Sequence, residues 1–277
     1  MSVTSNDIRQ AIHTLGLIGQ PLCVHSSLRS FGTVEGGATA IIDGLLAEGC
    51  TVLVPSFTYD FGIVPPHDPA MRPPRNGRDY ASIDATMPQG NNRVYTSEIT
   101  EVSSDMGTIP ATLVRMQQRI RGNHPLNSFA AVGPLAQELI ADQRPLDVYA
   151  PFRALIAAHG SIVLMGVGLD CMTFIHYAEQ QSGRNLFRRC ALGPDGQPML
   201  VEVGSCSRGF GQLAPVLAPF RRQFYVGQSL WQVFPSQQAL EALVRAIQED
   251  PSITHCGLPD CERCNDAVQG GPILTPG

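Results

Sequence analysis

The chain is expected to fold as an α/β protein with three layers, α/β/α, around a mostly parallel central sheet that gains an antiparallel extension towards the C-terminus. Three observations lead there. Two short runs that are apolar throughout, Pro21-Leu-Cys-Val-His25 and Cys50-Thr-Val-Leu-Val-Pro55, alternate with segments of helical periodicity, as strands buried between helical layers do. A third apolar run, Ser161-Ile-Val-Leu-Met165, passes through Gly166-Val-Gly168 into another helical segment. At 277 residues, 43% hydrophobic and 16% charged, the chain can bury one large core. One α/β domain is therefore expected over residues 1–250, followed by a Cys-rich appendage over 251–277.

The elements follow in order. Residues 6–18 carry apolar side chains at helical spacing behind an Asn cap, and the strand at 21–25 follows. Ser26 to Gly32 reads as a loop, 36–47 as a helix and 50–55 as the second buried strand. From Phe57 to Thr100 the periodicity fails and Pro, Asn, Gly, Tyr and Asp accumulate, the mark of a functional loop or lid. A helix is expected over 106–115, a polar loop held by a proline over 121–129, a helix over 134–142, and then the strand at 161 with its helix. Beyond Arg184 the pattern shortens to strands and turns, with 193–203 assigned to the antiparallel extension, and 236–249 forms a last amphipathic helix.

Composition narrows the chemistry. All 19 basic residues are Arg, which removes a P-loop lysine and a Schiff-base lysine. Any bound phosphate must be met by Arg, backbone N–H groups or helix N-termini. A net charge of −5 with no basic run argues against nucleic acid and suits a cationic small molecule. No apolar run is long enough to span a membrane, and Met1 to Gln10 lacks a signal-peptide pattern, so the cytoplasm is the expected location. Eight Cys without an export signal point to reduced thiols or a metal.

His176 and Glu179 lie three residues apart, on one face of the helix that follows the third strand. A carboxylate beside an imidazole fixes its tautomer and raises its basicity, the arrangement of a general base, and Asp170 at the strand exit stands ready to share the carboxylate's role. On spacing alone such a pair is more often a surface pair or a satisfied core histidine; its place after a glycine-rich strand exit tips the balance. Gly166-Val-Gly168-Leu-Asp-Cys171 misses the dinucleotide fingerprint at its third small residue, and no G-x-S-x-G elbow exists. The clusters His25-Ser-Ser27 and Arg121-Gly-Asn-His124-Pro-Leu-Asn-Ser128 suit a phosphate or pantetheine chain, or are ordinary caps. His255, Cys256, Cys261 and Cys264 offer three thiols and an imidazole within ten residues, a candidate structural zinc site whose bland alternative is free thiols in a tail.

Val24-His-Ser-Ser-Leu28 with Gly36-Gly37, Thr51 to Phe57, Met106-Gly-Thr-Ile-Pro110, Asn123 to Ala130 and Val163 to Gly168 with Thr173-x-x-His176-x-x-Glu179 together resemble the aminoglycoside 3-N-acetyltransferase family, in order and spacing, over residues 5 to 250. The resemblance implies an α/β/α fold distinct from the common acetyltransferase fold, acetyl-CoA as co-substrate and direct transfer to an aminoglycoside amine activated by His176, with Glu179 and Asp170 in support. It also implies a CoA channel lined by His25, Ser26, Ser27, Leu28, Gly107, Thr108, Arg121, His124, Pro125, Ser128 and Phe129, with Tyr59, Asp60 and Glu202 on the amine side. A homodimer is the assembly left open. Tyr149-Ala-Pro-Phe152 departs from the family in lacking a Ser before its Pro, and Arg121-Gly-Asn-His-Pro125 stands where Arg-Ser-x-His-Pro is usual. The rival readings are an acyltransferase of this fold acting on a non-antibiotic amine in biosynthesis, and a zinc-bearing binding protein without catalysis.

Overall fold

The computed structural model describes residues 2–86 and 93–274. Among them the strands are β1 (Pro21–Ser26), β2 (Thr51–Pro55), β3 (Gly62–Ile63), β4 (Ile120–Arg121), β5 (Phe129–Val132), β6 (Ser161–Met165), β7 (Phe187–Leu192), β8 (Pro198–Val203), β9 (Arg222–Val226) and β10 (Ser229–Pro235). They form a seven-stranded sheet, β4-β5-β2-β1-β6-β10-β9, and a three-stranded sheet, β3-β7-β8. In the larger sheet β1 pairs in parallel with both β2 and β6, while β5 and β10 run against their neighbours. Thus β4, β2, β1, β6 and β9 share one direction. The chain leaves β1 for β2 on one side and later enters β6 on the other, which makes the carboxyl end of β1 the switch point where such sheets open a crevice.

Side-chain alternation along the central strands builds two cores. Leu22, Val24, Val52, Val54 and Val163 point to one face, against Ile8 and Ile12 of helix Ser5–Leu15 and Ile41 and Leu45 of helix Gly37–Ala47. Cys23, Leu53, Ile162 and Leu164 point to the other, against Leu139, Phe152, Ile175 and Leu243 of four further helices. The helical layers on both faces bear out the α/β/α expectation. The first helix stops at Gly16, in the left-handed conformation, three residues before the sequence pattern suggests. The last long helix, Ser236–Glu249, matches its expected bounds.

The antiparallel extension is present, but residues 222–235 make it as the hairpin β9–β10. Residues 193–203 instead belong to the small sheet, whose own core gathers Phe61, Tyr95, Leu126, Phe187 and Val201. The segment after 250 is packed into the body. Cys264 and Ala267 are buried, and Asn185 bonds to the backbone carbonyls of Gly270 and Pro272. No helix among the described residues is long and apolar enough to cross a membrane.

Phe152 is the hub of an aromatic cluster with Phe129, Tyr149, Phe174 and Tyr177 and is wholly buried. Phe152→Ala is expected to cost about 3–5 kcal/mol, read as a lowered urea midpoint at unchanged m value.

Candidate active site

A cleft of about 710 Å³ opens at the carboxyl ends of the three parallel strands, where Val24, His25 and Ser26 of β1, Pro55 of β2 and Val167 just beyond β6 line it. Beyond β6 the chain turns at Gly166, in the left-handed conformation, passes the helical turn Leu169–Cys171 and enters helix Phe174–Gln181. The first turns of that helix bring His176 to the cleft, 8% exposed.

The imidazole is held from several sides. Its Nδ1 lies 2.8 Å from Glu179 Oε2, as the helical spacing requires. Glu179 is 2% exposed and is satisfied by two more donors: Arg184 Nη1 reaches Oε1 at 2.6 Å and Ser205 Oγ reaches Oε2 at 2.8 Å. Burial alone would raise the Glu179 carboxyl, but the hydrogen bond and charge of His176, the charge of Arg184 and the Ser205 hydroxyl together bring it below the ordinary value. An ionised Glu179 therefore accepts from Nδ1, and Nε2 makes no hydrogen bond among the described residues while the ring lines the cleft. Phe210 meets the ring edge-on at 4.7 Å. A Cβ on Gly204 would lie 2.5 Å from the imidazole, so only glycine lets the loop after β8 close over the ring.

Of the other expected residues, His25, Ser26, Tyr59 and Asp170 line the cleft with His176. Asp170 is exposed there and makes no bond to the imidazole; Glu179 holds that place alone. Ser27 donates its N–H to Met165 O, tying the ends of β1 and β6, and Leu28 packs half-buried on the core behind. Gly107 passes close to Ser26 O and Thr108 starts the short helix Thr108–Leu113, beside Met106 and Pro110 on the cleft wall. Asp60 is exposed off the cleft.

The 121–129 loop frames the cleft from behind and presents Leu126 and Asn127 to it. The Arg121 guanidinium is spent on the carbonyls of Ser56, Ile99 and Glu101 and on the Ser128 hydroxyl. His124 Nδ1 accepts from the N–H groups of Leu126 and Asn127, the Pro125 carbonyl accepts from Thr58, and Phe129 is sealed in the core. Glu202 is likewise inward, paired to Arg188 at 2.8 Å.

Sequence reasoning missed Ser205 and Arg184, the two partners of Glu179. It also missed Arg78, Arg189, Arg208 and Arg263, which line the cleft against Asp105 and Asp170 and form no ion pair among the described residues. Burial lowers Arg189 well below its ordinary value, and the charges of Arg78 and Arg263 add to this. In the C-terminal segment the thiols of Cys256, Cys261 and Cys264 come together with that of Cys206, all within 4.8 Å of one another. His255 is not in that group: its Nδ1 accepts from Gly257 N–H and its Nε2 faces Asn265 Oδ1 at 3.0 Å.

A sequence model of the family described as aminoglycoside 3-N-acetyltransferase matches residues 23–248. Aminoglycoside N(3)-acetyltransferase IX of Micromonospora chalcea is 35% identical over 185 residues, 64% of this chain and 62% of that protein. The match therefore spans less than two thirds of that relative's length. The SPbeta prophage-derived aminoglycoside N(3')-acetyltransferase-like protein YokD of Bacillus subtilis (strain 168) is 31% identical over 249 residues, 86% of this chain and 83% of its own. The crystal structure of aminoglycoside acetyltransferase AAC(3)-IVa, as a histidine-to-alanine mutant in complex with a gentamicin, shares the fold at a TM-score of 0.76 and 24% identity, covering 98% of each chain.

Burial holds His25 at about 4 and His124 at about 3, against 6.5 for a free imidazole, so both are neutral at neutral pH. The unfolded chain takes up these two protons near pH 6.5 and the folded protein resists, so stability present above pH 6.5 is lost as the pH falls from there towards 4. Each histidine adds a slope of about 1.4 kcal/mol per pH unit, measurable as urea midpoints across that window. His124→Asn, whose Oδ1 can replace Nδ1 as the acceptor, is expected to remove about half of this slope.

Proposed function

The chain belongs to the aminoglycoside 3-N-acetyltransferase family, and on that premise we propose that it transfers an acetyl group from acetyl-CoA directly to a substrate amine with His176 as general base. The observation that carries this reading is the ring itself: Nδ1 fixed by a buried carboxylate, Nε2 without a hydrogen-bond partner among the described residues, and the residue lining a cleft of about 710 Å³. That volume suits a pantetheine arm meeting the amine end of a small molecule. Nε2 takes the proton as the amine nitrogen attacks the thioester carbonyl. The C–N bond forms, the C–S bond breaks, and the departing CoA thiolate takes the proton from the imidazolium to leave as free thiol. Attack within a complex of both substrates needs no enzyme nucleophile. Two of the three thiols that line the cleft, Cys190 and Cys171, support this, because burial raises Cys190 to about 11 and also raises Cys171, with the Asp170 charge assisting. Both remain protonated and poorly nucleophilic at neutral pH.

For the amine, the relatives' names favour an aminoglycoside, modified at its 3-N position, and Asp170 and Asp105 offer carboxylates to its ammonium groups. A second reading is favoured by the arginines. Arg78, Arg189 and Arg263 repel one another without a carboxylate partner among the described residues, an arrangement that an anionic group relieves. On this reading the substrate is an amine that also bears a carboxylate or phosphate.

Purified protein supplied with acetyl-CoA and kanamycin- or gentamicin-like amines is expected to release CoA thiol. His176→Ala should lower kcat/KM by at least ~100-fold, and retention of full turnover by that variant would remove the general-base assignment. In the same assay an amine carrying an acidic group separates the two substrate readings. If the arginine wall binds it, Arg78→Gln raises its KM about tenfold and leaves aminoglycoside turnover unchanged; equal effects on both amines exclude the anionic reading.

A further inference from the structure

Four cysteines from two distant parts of the chain meet beside the cleft, at the loop after β8. Cys206 lies three residues beyond β8, and Cys256, Cys261 and Cys264 come from the segment packed against it; their sulfur atoms all lie within 4.8 Å of one another. A tetrahedral zinc centre with bonds of about 2.3 Å places its sulfurs about 3.8 Å apart, so the set closes on a metal with movements of about 1 Å or less. Local hydrogen bonds hold the segment in place around these thiols. The N–H of Cys256 donates to Cys264 Sγ at 3.3 Å, and the N–H groups of Cys264 and Asn265 fold back onto the Cys261 carbonyl. Such N–H donors to sulfur stabilise thiolates. Cys261 and Cys264 alone have the short ligand spacing; the fourth ligand visible in the sequence, His255, has both ring nitrogens committed elsewhere.

We propose that Cys206, Cys256, Cys261 and Cys264 bind one Zn²⁺ as a four-thiolate structural centre, and that this centre fastens the loop bearing Gly204 and Ser205, and with it the Glu179–His176 pair, to the C-terminal segment. The four thiols lose their protons to solvent as the metal binds. The centre carries a net charge of −2, and Arg263, between two of its ligands, offsets that charge while donating to the carbonyls of Gly204 and Ser205. Arg184 ties the same regions together a second time, its Nη1 donating to both Glu179 and the Thr254 hydroxyl and its Nη2 to the Pro251 carbonyl. The metal site stands apart from the acetyl-transfer reading. Only its consequence for the His176 pair leans on that reading, and the test below uses no turnover.

Full-chain protein from zinc-supplemented growth is expected to carry one zinc per chain by elemental mass spectrometry. Cys206→Ser and Cys261→Ser should lose it and His255→Asn should keep it. Should the cysteine variants fail to fold, the unaltered protein stripped of metal and given Co²⁺ reports the same ligand set through strong thiolate charge-transfer and tetrahedral d–d absorption. Background metal in zinc-replete protein with no such cobalt spectrum overturns the site, and loss of metal in His255→Asn with retention in Cys206→Ser overturns the assignment of the fourth ligand. Hydrogen exchange after zinc removal tests the coupling: protection should fall at 204–208 and 174–181 as well as 251–274 while β1, β2 and β6 keep theirs. A loss confined to 251–274 overturns it.

Discussion

One buried carboxylate, that of Glu179, organises the site. An isolated charge at 2% exposure would cost several kcal/mol, and it persists because three donors surround it: the His176 ring, the Arg184 guanidinium and the Ser205 hydroxyl. Each donor comes from a different place, the helix itself, the turn after it and the loop after β8. The carboxylate can stay ionised only when all three have assembled, so the position of the imidazole is set by the fold as a whole. The tautomer is constrained too, since the edge facing Glu179 donates to an ionised carboxylate.

The cleft exists because of where the sheet changes direction. Winding to both sides of β1 leaves the carboxyl ends of β1, β2 and β6 uncovered, and the loops leaving them supply one wall. Those loops are braced by polar side chains turned inward. Arg121 alone joins four segments through three carbonyls and a hydroxyl, which explains why a motif with the look of a phosphate site behaves as a strut. The small sheet and the C-terminal segment supply the remaining wall, including Arg189 and Arg263.

The parts legible in the sequence were those governed by short-range periodicity. The doubly buried strands β1, β2 and β6 announce themselves as unbroken apolar runs, and His176 and Glu179 are neighbours by helical geometry alone. Ser205 and Arg184 carry no such mark, because an ordinary serine and an ordinary arginine acquire their role only when the loop after β8 folds over the helix. Cys206 is invisible for the same reason: fifty residues separate it from Cys256. Hairpin β9–β10 escaped because β9 is mostly exposed and so lacks an apolar run. The inward turn of Arg121 and His124 was hidden because composition does not distinguish a donor that meets a ligand from one that meets the protein's own carbonyls.

The absence of lysine links these observations. A guanidinium presents several donors in a plane, so one side chain can bridge separated acceptors, as Arg121 does for the carbonyls of Ser56, Ile99 and Glu101 and Arg184 for Glu179, Thr254 and the Pro251 carbonyl. An ammonium group is a poorer brace of that kind. Burial lowers Arg78 and Arg189 from their ordinary values, and the charge of Arg263 beside them adds to this, so the arginines of the cleft wall oppose one another. Two of these three residues lie within the stretch 23–248 that the family model matches, whereas Arg263 and three of the four clustered thiols lie beyond it. The frame that places His176 thus belongs to the matched stretch, while part of the wall facing it is built by a C-terminal segment outside that stretch. The same segment also reaches the residues that hold the imidazole, since Arg263 donates to the carbonyls of Gly204 and Ser205 and Arg184 bonds Thr254 and the Pro251 carbonyl, so one piece of chain braces the cationic wall and the buried pair together.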